Sequence, residues 1–138
     1  MTPELQRLKE QALRVAAESP DPYKKVGCLG LNAYGAVIAS GFNHAGKMQF
    51  KKSFWADRDK RRPFVVHAEI DMLSKCIGLN VNIHRLSQII ITLLPCEPCM
   101  NALAAFGVRV VYYLDFYDRD LGALDVARHH GIVCVQLK

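Results

Sequence analysis

The sequence predicts an α/β protein with a single five-stranded mixed sheet and helices on both faces. Three observations carry this prediction. The second half alternates short apolar runs with helical patterns, the first half holds two apolar runs around a turn, and the chain opens on an amphipathic stretch. Short β-α-β connections close as right-handed crossovers between parallel strands, whereas a hairpin adds an antiparallel pair.

Each element follows in order. Leu5, Leu8, Ala12, Val15 and Ala16 recur at helical spacing within Met1 to Glu18, and Ser19-Pro20-Asp21-Pro22 stops that helix. Val26 to Leu31 and Ala36 to Phe42 read as strands joined by Asn32-Ala33-Tyr34-Gly35. The stretch from Lys47 to Arg62 has no clean period and reads as a loop with room for a helical turn. Pro63-Phe64-Val65-Val66 leads into a helix from about His67 to Cys76. Gln88 to Leu94 is a buried strand, Glu97 to Phe106 a helix capped by Gly107, and Val108 to Leu114 a strand. Leu121 to His130 is a helix that Gly131 ends, and Ile132 to Leu137 is the last strand.

A length of 138 residues suits one domain that builds its core without disulfides, so residues 1–138 are expected to be a single domain. Hydrophobic residues at 51% and charged ones at 22% fit a globular protein. The charged N-terminus lacks a signal-peptide core, and no apolar run nears the roughly 20 residues that span a bilayer. The expectation is a soluble protein of the cytoplasm, or of the host cytoplasm if it is viral, with no membrane partner. Five cysteines in such a chain suggest metal or chemistry before disulfides. Cys28, Cys76 and Cys134 lie in apolar patterns and read as small buried hydrophobes. The net charge of +5 is local: Lys47 to Arg62 holds seven basic residues and two acids, and the remainder is neutral. A charge confined to one segment does not look like a whole-surface nucleic-acid footprint.

Two short motifs carry the chemistry, His67-Ala68-Glu69 and Pro95-Cys96-Glu97-Pro98-Cys99. Each lies where a strand or loop hands over to a helix. A Cys-x-x-Cys pair at a helix start puts both sulfurs on one turn, where the helix N-terminus lowers thiolate pKa. One imidazole and two thiolates make three ligands, the count of a catalytic zinc with its fourth position open. No fourth ligand sits at metal spacing, as a structural site would require. Glu69 can lie beside the metal's open position without ligating it. A lone Cys-x-x-Cys also serves redox chemistry, but Pro98 and the absent thioredoxin-like context argue against that use. With 29 residues from His67 to Cys96, filled by a helix and a strand, the motifs match the signature of zinc nucleobase deaminases.

On these residues the chain resembles the cytidine deaminase superfamily, and within it the deoxycytidylate (dCMP) deaminases. Further landmarks are Asp21-Pro22 before Val26-Gly27, Gly41-Phe42-Asn43, Pro63 to Glu69, and Tyr117 before the last helix. The resemblance covers nearly the whole chain. It implies the cytidine-deaminase-like sheet, one catalytic zinc per chain and a homo-oligomer. It also implies that Asn43 contacts the sugar, that the Ala68 backbone helps hold the base, and that Tyr117 belongs to the pocket. Without it, Asn43 reads as a turn residue and Tyr117 as a half-buried aromatic. Two positions depart from the family pattern: His44 replaces a common glycine, and Asp71 stands where asparagine often follows His-Ala-Glu-x. No cysteine lies between Cys28 and Cys76, which argues against the second, structural zinc of some relatives.

The implied reaction is hydrolysis of dCMP to dUMP and ammonia, with Glu69 moving the protons as acid and base in turn. Lys51, Lys52 and Arg58, interleaved with Phe50, Phe54 and Trp55, are the candidate readers of a 5′-phosphate. A tRNA adenosine deaminase shares the His-Ala-Glu-Ile start. The 24 residues from Asn43 to His67, the Val65-Val66 lead-in and the local charge favour a small nucleotide partner over nucleic acid. A deaminase of free nucleosides or modified pyrimidines remains an alternative, whereas a silent binding subunit would have no need of Glu69.

Overall fold

The computed structural model describes residues 1–46, 50–78 and 85–138. Among the described residues, five strands form one sheet in the order β2-β1-β3-β4-β5. Helix α1 (Pro3–Ala16) precedes strands β1 (Gly27–Leu31) and β2 (Val37–Phe42). Two short helices follow, α2 (Lys52–Ala56) and α3 (Arg58–Arg61), then α4 (Ala68–Ser74) and β3 (Gln88–Leu93). Helix α5 (Glu97–Ala105), β4 (Val110–Asp115), α6 (Gly122–His129) and β5 (Val133–Gln136) complete the chain, with a 3₁₀ turn over Asp118–Asp120. The segment from Lys51 to Arg62 is thus more helical than its lack of period suggested. Asp57 explains part of this: its carboxylate accepts from the Asp59 and Lys60 amides and caps α3. Lys47, the first residue of the basic run, lies outside the described residues.

Strand β1 pairs antiparallel with both β2 and β3, while β3, β4 and β5 run parallel. The expected mixed sheet is therefore present, with the hairpin on one side and the β-α-β-α-β unit on the other. Successive right-handed crossovers progressing in one direction place their helices on one face. The core follows this rule. Ile89, Ile91 and Val111 pack with Met72 of α4, Met100 and Leu103 of α5, and Ala123 and Ala127 of α6. Ile90, Leu29 and Leu31 point the other way, onto Ala12 of α1 and its half-buried Leu5 and Leu8. Because β3 is covered on both faces it reads as a continuous apolar run, each isoleucine burial contributing about 1.5–3 kcal/mol.

Two glycines set the helix distances. A Cβ on Gly27 would lie 2.3 Å from the Ala12 carbonyl oxygen, so α1 rests directly on the β1 backbone. A Cβ on Gly41 would lie 2.4 Å from the Met72 amide nitrogen, so α4 rests equally close on β2. The second contact matters for function, because α4 carries His67 at its entrance and Glu69 in its first turn.

Candidate active site

The site forms where several chain ends meet: the starts of α4 and α5, the end of β2, and the connection leaving β4. In open α/β sheets this carboxyl edge of the parallel strands is where crevices arise. Strand β3 ends at Leu93, the Leu94 amide donates to the Asp115 carbonyl, and Pro95 delivers Cys96 to the α5 entrance.

His67 and Cys96 are the N-cap residues of α4 and α5, each extended and neither making a side-chain capping bond. N-caps are usually serine, threonine, asparagine or aspartate, whose oxygens satisfy the first amides. Here the side chains turn away from their helices and toward each other. Cys99 stands one turn into α5, buried at 3% exposure. The three donor atoms lie within 4.8 Å of one another. His67 Nδ1 is 3.3 Å from Cys99 Sγ and 3.6 Å from Cys96 Sγ. For tetrahedral zinc with about 2.0–2.1 Å to nitrogen and 2.3 Å to sulfur, a nitrogen–sulfur edge is about 3.6 Å. The donors fit that ion in type and spacing.

The electrostatics agree. The Cys96 thiol is lowered to about 4, first by the hydrogen bond from Cys99 and then by His67. Cys99 is raised, first by the same sulfur contact and then by burial. His67 is raised, chiefly by its bond to Cys96. A dication would take the place of these protons and hold both sulfurs as thiolates. Glu69 is not one of the three donors. The residue is 4% exposed, and its carboxyl is pushed up to about 7 by burial. A carboxyl poised near neutrality can take and return a proton.

The cavity beside these residues has a volume of about 170 Å³. Its wall contains Asn43, Ala68, Glu69 and Tyr117, so four residues singled out from sequence do come together with the zinc donors. Asn43 is held at both ends: Oδ1 accepts from the Val26 amide at 2.8 Å, and Nδ2 donates to the Lys24 carbonyl at 2.9 Å. One amide hydrogen and one lone pair are left for a ligand. Ala68 is buried in the first turn of α4. Tyr117 is half-buried, with Lys24 Nζ 5.2 Å and the Arg119 guanidinium 4.4 Å from its ring centre.

The structure does not bring Lys51, Lys52 and Arg58 into this wall. Lys51 is an exposed residue entering α2, Lys52 faces the Tyr23 ring at 5.7 Å, and Arg58 is exposed at the start of α3. The member of that segment that does reach the cavity is Arg61, which also donates to the Trp55 carbonyl at 2.7 Å. Sequence reasoning missed Arg61, Lys24, Arg119 and Asp120 as site residues and took Asp21 only as a landmark, yet all five are in the wall. A signal existed for Arg119 and Asp120. They follow a parallel strand's carboxyl end, the same argument that singles out Cys96. Asp21 shapes the neighbouring loop, its Oδ1 accepting from the Tyr23 and Lys24 amides. Cys28, Cys76 and Cys134 are free and belong to the core or pack against it, as expected of small apolar residues.

Comparisons with known proteins place this geometry. A probable deoxycytidylate deaminase of Caenorhabditis elegans is 27% identical over 119 residues, 82% of this chain. The matched part is 58% of the nematode protein, so the chain spans less than two thirds of that relative. The dCMP deaminase of cyanophage S-TIM5 in its apo form superposes with a TM-score of 0.77 at 26% identity, covering 99% of this chain and 100% of the phage chain. The same phage enzyme in complex with dCMP and dUMP superposes at 0.75 with 23% identity and 99% coverage of both chains, a likeness of fold. The family model for the cytidine and deoxycytidylate deaminase zinc-binding region matches residues 2–115. That match and the His67, Cys96 and Cys99 donor set agree on one catalytic zinc site per chain. The chain belongs to the cytidine and deoxycytidylate deaminase family.

Proposed function

We propose that residues 1–138 act as a single zinc-dependent deaminase domain that converts a cytosine nucleotide, dCMP, to dUMP and ammonia. The observation that carries this reading is the cavity itself. Its wall holds Glu69 and the zinc donors His67 and Cys96, with Cys99 beside them, together with the cations Lys24, Arg61 and Arg119. Its volume of about 170 Å³ is close to that of a ~150 Å³ cavity that admits a single six-membered ring.

His67, Cys96 and Cys99 would hold the zinc, which when bound supplies the Lewis acidity that makes water a nucleophile at neutral pH. Glu69 takes a proton from the attacking water and delivers it to the ring nitrogen. It then helps protonate the departing amine, so water is consumed and ammonia leaves. Burial keeps the carboxyl near neutrality, which suits both directions of transfer. Asn43 offers its remaining amide hydrogen and lone pair to the sugar, and the Ala68 backbone edge faces the base. Lys24 and Arg119, flanking Tyr117, together with Arg61 are better placed for the 5′-phosphate than Lys51, Lys52 and Arg58.

Five free cysteines and the lack of any helix long and apolar enough to cross a membrane among the described residues support a reducing, cytoplasmic setting. The relevant cytoplasm is a host's if the protein is viral. The family resemblance supports a homo-oligomer. A tRNA adenosine deaminase is the second reading. It draws on Phe50, stacked on Phe54 at 4.0 Å, and on Phe64, 60% exposed, beside basic residues. Ammonia release from zinc-loaded protein given dCMP, deoxycytidine, modified cytosine nucleotides and tRNA decides between them. Far higher kcat/KM on dCMP supports the proposal, and salt-sensitive RNA binding without dCMP turnover overturns it.

A further inference from the structure

The geometry points to His44 and Asp71 as a positioning pair that locks the Glu69-bearing helix α4 to the segment carrying Asn43; only its kinetic readout rests on the deaminase reading. These are the two positions at which the sequence departs from the family pattern, and in the structure they touch. His44 Nε2 lies 3.0 Å from Asp71 Oδ1. The Gly46 amide donates into His44 Nδ1 at 3.0 Å, which requires a lone pair there. The ring hydrogen therefore sits on Nε2 and is donated to the carboxylate. The tautomer is assigned by the two partners together.

Asp71 gathers further donors. Its Oδ2 accepts from the Phe42 amide, the last of β2, at 3.1 Å. Lys75 Nζ lies 3.6 Å from the same oxygen and donates to the Ser40 carbonyl at 2.7 Å. Both partners are largely shielded, with side chains 24% and 14% exposed. His44 also joins the chain entering α4, its amide donating to the Val66 carbonyl at 3.1 Å and its carbonyl accepting from the Val66 amide at 2.7 Å. Val66 immediately precedes the zinc donor His67. The carboxylate and the imidazole thus connect α4 to the end of β2, and the His44 backbone ties the same residue to the α4 entrance.

Neither residue lines the cavity, so neither acts on substrate directly. Asp71 is two positions beyond Glu69, about 200° around the helix, and faces β2 while Glu69 faces the cavity. What the pair fixes is the separation of Asn43 from Glu69 across the site. Gly41 lets β2 approach the α4 backbone, and the pair sets where the chain goes after that contact. A shift there weakens nucleotide binding before it disturbs proton transfer, because Asn43 holds the sugar in ground and transition states alike.

The test compares two near-isosteric substitutions. His44→Gln keeps an N–H donor near the Nε2 position, and His44→Asn keeps only an acceptor near Nδ1. His44→Asn should raise KM for dCMP about tenfold, the scale of one lost hydrogen bond to a charged group. It should leave kcat within about threefold and retain one zinc per chain. His44→Gln should stay close to the parent. Amide hydrogen exchange supplies a readout that needs no substrate: Phe42 and Val66 should exchange about tenfold faster in His44→Asn and at the parental rate in His44→Gln, with β4 unchanged in both. Parental KM and exchange in His44→Asn overturn the proposal, as does equal damage in the two variants. So does a matched fall of kcat, thermal stability and all core protection, which is what a purely structural role produces. If the parent does not turn over dCMP, the functional reading fails and the exchange pattern alone decides on the pair.

Discussion

The zinc constellation and the basic segment flank one cavity, yet they are built on opposite principles. His67, Glu69, Cys96 and Cys99 sit at the starts of two helices anchored on the sheet, all four within four residues of Ala68 or Pro95, which are buried. Their positions follow from the backbone. Lys51 to Arg62 instead carries two helices of five and four residues, and its charged side chains other than Arg61 are exposed. Motif spacing therefore locates chemistry reliably when short backbone turns fix the side chains. Charge density locates a segment and leaves open which of its long side chains reaches the ligand.

The predictions press on this difference. The largest effect should come from the metal. Cys99→Ala, or a chelator, should abolish ammonia release, and metal analysis should fall from one zinc per chain. Two zincs in active protein would contradict the three-donor site. Glu69→Ala comes next. It should keep its zinc and fold while kcat falls by about 10²–10⁴, the worth of positioned proton transfer. Loss of zinc in that variant would make Glu69 a ligand.

The third effect compares the two groups of cations directly. Neutralising Lys24 and Arg119 together should narrow the preference for dCMP over deoxycytidine by about 10- to 100-fold, as expected for lost charge-assisted phosphate bonds. Neutralising Lys51, Lys52 and Arg58 together should change it by less than about threefold, the scale of screened surface charges. The reverse ranking would return phosphate recognition to the basic run. The smallest effect is local to that run: Asp57→Ala removes the α3 cap and should cost about 1 kcal/mol of local helix stability. Faster exchange at Asp59 and Lys60, with unchanged exchange in β3, would show it.

Much of the fold was legible because its elements carry their own signals. Pro3 and the Thr2 side chain, which accepts from the Leu5 amide, open α1 locally. Ile89-Ile90-Ile91 reads as a strand covered on both sides, and it is. The short helices α2 and α3 were not legible as such, since neither is long enough to display a period.

By itself the sequence determined the order of elements, the mixed sheet and the zinc donors, because hydrophobic period, caps and motif spacing act over a few neighbouring residues. Only the tertiary structure decided which cations enter the cavity wall, since Lys24, Arg61 and Arg119 come from three segments far apart in the chain. It alone showed that His44 and Asp71 meet, 27 residues apart. Contacts between side chains on different elements depend on how close two backbones approach. Here that distance is set by glycines such as Gly41, whose missing Cβ lets α4 settle on β2.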